Sequence, residues 1–199
     1  MWGPLGWMTL HSVSHNYPEN PSLHEQQLVS QWLDLFRDTI TCAHCRSHFS
    51  DMLHQVRTLY SGYLSSRREF ILFVFRAHNT VNRRLDKPVY LTSDECEQVY
   101  RSNLASRSAR DYRIAYLNHI MQNWKAMHDM NGISNVRRVH QMMQVETSYW
   151  APRDNLPEPI VGESTAPLPS RPAGTPREPP TIRRPPGKVG FIGGRLRFR

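Results

Sequence analysis

The sequence predicts an all-α protein: a small bundle of four helices plus a short fifth, then a helical extension, then a disordered tail. Three observations carry this. Apolar and polar residues almost never alternate at strand period. Several apolar runs are preceded by Ser or Thr at positions suited to capping a helix. Eleven of the 15 prolines fall after Trp150, where aromatic residues are scarce, so that stretch has little with which to build a core.

The elements follow in chain order. Pro4 to about Asn16 reads as the first helix, stopped by Tyr17-Pro18. Ser22 opens the second, which runs to Thr39. Thr41 is the expected N-cap of the third, which ends near Leu59. Ser65 or Ser66 caps the fourth, running to Leu85. A short helix from Ser93 reaches Asn103, with Glu95 in its first turn. Leu104 to Met130 reads as one longer helix that Gly132 breaks, and a weaker helix follows from Ser134. The expected division is therefore 1–103, 104–150 and a tail over 151–199.

A chain of 199 residues is long enough for one sizeable core. Trp32, Leu33, Leu35, Phe36 and Ile40 form one candidate cluster, and Phe70, Ile71, Phe73, Val74 and Phe75 another. No stretch approaches the roughly 18 apolar residues of a membrane span. Met1-Trp2-Gly3-Pro4 has neither the basic start nor the apolar run of a signal peptide, so the expected compartment is cytoplasmic and reducing. Three cysteines are too few for a disulfide framework, and in such a compartment a close pair is more often catalytic or metal-binding. After Tyr149 there are nine Arg/Lys against four Asp/Glu, so the tail holds +5 of the net +8. The charge thus describes what the tail meets, an acidic surface or nucleic acid, rather than the fold.

Three groupings carry chemistry. Cys42-Ala43-His44-Cys45 places two thiols close enough to join, at the start of a helix whose free N–H groups favour thiolate. Gly3, Trp7 and His11 recur at i, i+4 and i+8, one above another: a close approach, a stacking face and a hydrogen-bonding edge. A core tryptophan beside a satisfied histidine is the commoner use of such residues. His78, Val81 and Asn82 share one face of the fourth helix. Asparagine is a poor helix former, so Asn79 and Asn82 inside a helix imply a task. Arg83, Arg84 and Lys87 just beyond suit a diphosphate or, more simply, a solvated basic helix end. A CxxC without a βαβ context is not thioredoxin-like. The competing reading is zinc, held by Cys42, Cys45 and His48 with His54, His78 or Cys96 as fourth ligand.

The series Gly3-Pro4-Leu5-Gly6-Trp7-Met8-Thr9-Leu10-His11, Tyr17-Pro18-Glu19-Asn20-Pro21, the CxxC, and His78-Asn79-Thr80-Val81-Asn82-Arg83-Arg84-Leu85 with Lys87-Pro88 resembles the Erv/ALR family of FAD-linked sulfhydryl oxidases. The resemblance spans roughly Trp2 to Tyr100, in the compact form encoded by large DNA viruses, which places the protein in host cytoplasm or virion. It implies a helical bundle around FAD over 1–103, often a homodimer. It implies that Gly3, Trp7, His11, Tyr17, His78, Asn79, Val81, Asn82, Leu85, Lys87 and Tyr90 line the cofactor site. Cys45 would be the thiol next to the flavin and Cys42 the outer one. Protein dithiols or a redox relay protein would supply electrons, and O₂ would accept them as hydrogen peroxide.

The chain departs from the family pattern at four places. Thr41 stands where many members have Pro. Phe75 and Thr92 occupy the positions of a structural disulfide. Cys96 is left without a partner and reads as a packed thiol. The tail has no cysteine, so it carries no shuttle pair. The rival from another class is a zinc-stabilised helical adaptor with a nucleic-acid-binding tail, which purified protein would betray by stoichiometric zinc and no flavin spectrum.

Overall fold

A computed structural model describes residues 2–154; the expected tail from 155 onward lies outside them. Among the described residues there are seven α-helices and no strand. They are α1 (Trp2–His15), α2 (Leu23–Thr39), α3 (Ala43–Leu59), α4 (Arg67–Arg84), α5 (Ser93–Leu104), α6 (Ala109–Lys125) and α7 (Met130–Val145). A π-helical turn over Glu146–Trp150 and a 3₁₀ turn over Ala151–Arg153 close the described chain.

The starts follow from side chains that satisfy free N–H groups. Ser22 and Glu25 form a reciprocal capping box on α2. Ser66 caps α4, Thr92 caps α5, Ser108 caps α6 and Asp129 caps α7. Three expectations need correction. The third helix is capped by Cys42 rather than Thr41: its sulfur accepts from the Cys45 N–H at 3.3 Å. The expected helix from Leu104 to Met130 is shorter at both ends, Ala109–Lys125, because Ser108 caps its start and the chain leaves the helix at Ala126. Gly132 does not break a helix but sits in the first turn of α7, where its N–H bonds Asp129 at 2.7 Å. A Cβ at Gly132 would overlap the Met127 carbonyl and lie 2.9 Å from that of Trp124, so only glycine lets α7 turn this tightly against the end of α6.

α6 packs along α1 and α7 along α2, so the extension shares one apolar core with the first four helices. Phe36 stacks on Tyr116 with ring centroids 5.1 Å apart, and Trp32 meets Trp150 edge-on. The Trp124 indole N–H donates to the Thr39 carbonyl at 2.9 Å. One buried charge crosses this layer. Arg113 on α6 donates to Glu146 at 2.8 and 2.9 Å, to Asp154 at 2.8 Å, and to the Ser12 hydroxyl of α1 at 2.6 Å. Arg153 pairs with Glu25 at 2.8 Å. The fold therefore continues four residues past Trp150, into what the sequence reads as tail, because two charged side chains there are tied to the bundle.

Candidate functional site

α1 and α4 lie against each other and open one large cavity of about 820 Å³, within the range of roughly 300–1,000 Å³ typical of ligand sites. α1 contributes Gly3, Trp7 and His11; α4 contributes His78, Val81, Asn82 and Arg84; Leu85, Lys87 and Tyr90 follow from the turn beyond. The helical spacings read in the sequence are what bring these side chains to a common wall. Trp7 and His78 stack across it, centroids 4.2 Å apart and planes 7° from parallel. His11 Nε2 and His78 Nδ1 are 3.1 Å apart, so one ring donates and the other accepts, which requires the accepting ring to be neutral.

Burial keeps them neutral. It pushes His11 well below the ordinary histidine range, with His78 and His15 adding repulsion. Burial, then the nearby Lys87, brings His78 down to about 4. Burial, then Arg101 and Arg67, brings His15 to about 4. Cys96 sits 3.8 Å from His11 Nε2 on the same cavity wall, and burial followed by Glu95 and Glu97 raises its thiol to about 12. It is a protonated, unreactive thiol.

The turn after α4 explains the asparagines. Asp86 takes a left-handed φ of 51°, which Asp tolerates, and turns the chain back along α4. Asn82 Nδ2 then donates to the Pro88 carbonyl at 3.0 Å. Asn79 donates to the Tyr90 carbonyl at 2.9 Å and accepts from the Tyr90 N–H at 3.0 Å. Asn79 does not line the cavity; it holds the strap that carries Tyr90 into it. Tyr17 is also absent from the wall. It is fully buried in the core, donating to the Leu64 carbonyl at 2.9 Å and packed edge-on against Phe70.

Cys42 and Cys45 form a disulfide, with Cα atoms 5.2 Å apart. Cys45 lines the cavity and Cys42 does not. The zinc set proposed from sequence is not assembled: its two thiols are joined, and the half-buried His48 faces His44 at 3.0 Å. Sequence reasoning missed Met8, Phe49, Met52, Val99, Tyr100 and Tyr112 on the cavity wall. Met8 and Phe49 look like ordinary core residues in sequence, and Tyr112 belongs to the extension, beyond the recognisable motifs.

Two features test whether a flat, doubly anionic nucleotide cofactor fits. The wall is mainly apolar with aromatic faces, as a fused ring system requires. Arg84 lines the cavity with Nε and Nη1 buried and without a hydrogen-bond partner in the protein, donors of the kind a diphosphate satisfies.

Among the described residues no helix is long and apolar enough to cross a membrane. The profile of the Erv1/Alr family matches residues 5–103. A protein of Invertebrate iridescent virus 3 named as an FAD-linked sulfhydryl oxidase is 38% identical over 88 residues, which is 44% of this chain and 58% of that protein. An FAD-linked sulfhydryl oxidase of African swine fever virus is 30% identical over 104 residues, covering 52% of this chain and 82% of the relative. The mitochondrial FAD-linked sulfhydryl oxidase of Saccharomyces cerevisiae is 30% identical over 88 residues, 44% of each chain. The chain thus spans little more than half of the iridescent-virus relative and less than half of the yeast one. No solved structure matches it.

Proposed function

The chain belongs to the Erv1/Alr family, and from that premise we propose that it is an FAD-linked thiol oxidase that forms disulfides in protein substrates. The observation that carries the reading is the placement of the disulfide: one sulfur on the wall of a cavity with flat aromatic faces, the other off it. Cys42, at the cap of α3, is the sulfur that exchanges with substrate; Cys45 is the one that faces the cofactor.

Trp7 and His78 hold the cofactor's ring system, His11 and Tyr90 border it, and Arg84 with Lys87 neutralises its diphosphate. When bound, FAD takes up the electron pair and passes it to O₂, giving hydrogen peroxide. The protein's own part is to bind and orient the ring beside Cys45, keep both histidines uncharged, and ease the departure of Cys45. The N-terminus of α3 does the last of these, because its free N–H groups stabilise the thiolate that leaves when the disulfide opens. The Cys45 N–H already donates to the Cys42 sulfur in the closed form.

The test is an absorbance spectrum of purified protein with oxygen uptake on dithiothreitol. A flavin spectrum and uptake that disappears in Cys42→Ser and Cys45→Ser are expected. Colourless protein, or uptake that survives either substitution, overturns the reading.

A further inference from the structure

We propose that the turn between α6 and α7 is the docking surface for the substrate protein that reduces the Cys42–Cys45 disulfide, and that the segment docking there is apolar and acidic. This rests on the thiol-oxidase reading and adds to it a surface and a class of partner.

The turn is tied to the segments that flank the disulfide. The Trp124 indole, in the last turn of α6, is bonded to the Thr39 carbonyl at 2.9 Å, and Arg46 lies over its ring at 5.8 Å. Arg46 also donates to the Ile40 carbonyl at 2.9 Å, and Arg138 of α7 reaches Asp38 at 3.5 Å. Thr39 is three residues before Cys42, at most about 11 Å of chain. Met127 follows Trp124 by less than one helical turn. The α6–α7 corner is thereby clamped to the segment from Asp38 to Arg46.

This corner presents apolar side chains to solvent. Met127 is 44% exposed, Met130 79% and Ile133 49%. Gly132, packed on the carbonyls of Met127 and Trp124, holds the corner tight. Methionines are adaptable and suit a surface that meets more than one sequence. The surrounding charge is mainly positive: Lys125 and Arg137 are exposed and Arg46 is half-buried. Of the nearby carboxylates, Asp129 is engaged in capping α7 and Asp38 is paired with Arg37 and Arg138. An acidic segment complements this rim.

The chemistry says what must dock. The third cysteine, Cys96, is buried on the cavity wall, so among the chain's three cysteines none is left to reduce the disulfide. The docking partner brings the dithiol. One substrate thiolate attacks Cys42 Sγ, the Cys42–Cys45 bond breaks, and Cys45 leaves as thiolate. The second substrate thiol loses its proton and attacks the substrate sulfur of the mixed disulfide, releasing Cys42. Two electrons and two protons pass from substrate dithiol to the cysteine pair, and the substrate departs as a disulfide. Both attacks need the substrate held at Cys42, and the corner is clamped to the chain on either side of it.

The test uses the full-length protein and three reductants: dithiothreitol, a short Cys-x-x-Cys peptide flanked by Leu and Glu, and the same peptide with Lys for Glu. Met130→Ser/Ile133→Ser, confined to exposed side chains, should raise KM for the acidic peptide roughly fivefold, leave its kcat, and leave dithiothreitol turnover unchanged. Lys125→Glu/Arg137→Glu should reverse the preference between the two peptides. An unchanged KM, or an equal loss on dithiothreitol, overturns the proposal. So does a fall in mass by light scattering in Met130→Ser/Ile133→Ser, since a second copy would then be the occupant. Wild-type protein inactive on dithiothreitol sinks the oxidase reading instead. Docking is then read by fluorescence anisotropy of the acidic peptide with Ser for Cys: weaker binding to the double variant sustains it, and equal binding overturns it.

Discussion

At the scale of the residue, the cavity depends on a few side chains whose roles separate cleanly. Asn79→Ala removes both bonds to the Tyr90 backbone and leaves a part-buried N–H unsatisfied, which should cost roughly 1–3 kcal/mol in urea denaturation. Flavin retention should fall with it, because Tyr90 loses its anchor. Cys96→Ser should keep the thiol-oxidase rate, since that thiol is protonated at any physiological pH. The histidines predict an acid limit. His15 and His78 titrate near 4 in the fold and near 6.5 in the unfolded chain, and His11 is likewise lowered. Below pH 6.5 the unfolded chain binds protons that the fold refuses, so stability falls as pH drops from about 6.5 toward 4, by at most about 1.4 kcal/mol per pH unit for each histidine. Denaturation midpoints at pH 7 and pH 5 check the sign; a midpoint higher at pH 5 would contradict it. The sequence made Trp7, His11 and His78 legible because spacing along one helix fixes which side chains share a wall. It could not place Tyr17, since whether an aromatic residue just after a helix meets core or cavity depends on distant partners, here Leu64 and Phe70.

At the scale of the element, caps and corners decide where helices lie. Ser22, the serine pair before α4 and the end of α3 near Leu59 were readable because caps are local signals, while the cap of α3 fell one residue beyond Thr41, on Cys42. The α6–α7 corner was not. Glycine reads as a breaker unless one knows what lies above it, and here that is the Met127 carbonyl. Gly132→Ala forces the corner apart and should cost about 1–3 kcal/mol, the range of overpacking, with α7 displaced from α2. Breaking the Arg113 network should be worse. Arg113→Met leaves Glu146 buried without its partner, at roughly 3–5 kcal/mol, and adding Glu146→Leu should recover part of that loss. A double variant no more stable than Arg113→Met would show that the cost lies in packing rather than in the stranded carboxylate.

At the scale of the whole molecule, α6 and α7 are not an appendage to the family's half of the chain. They cover α1 and α2 and contribute Tyr112 to the cavity wall. Ending the chain after Asp154 should preserve thermal stability and flavin binding. Ending it after Trp150 should lower stability measurably, because Arg113 and Glu25 lose Asp154 and Arg153. Ending it after Leu104 should bare the apolar faces around Phe36 and Trp32 and give aggregated protein on size exclusion. Sequence patterns could foretell that 104–150 is helical but not that it joins the core, since an apolar helix face does not name the surface it will meet. The stack of Phe36 on Tyr116 and the bond from Trp124 to the Thr39 carbonyl differ in what they leave in the evolutionary record. A ring-on-ring contact couples the choices at two sites, so among relatives that retain the extension, positions 36 and 116 should vary together across 80 residues of chain. A bond to a main-chain oxygen couples no second side chain: it asks position 124 to stay tryptophan, while position 39 answers to other partners, its hydroxyl donating to the Leu35 carbonyl at 2.8 Å and to Met142 Sδ at 3.4 Å.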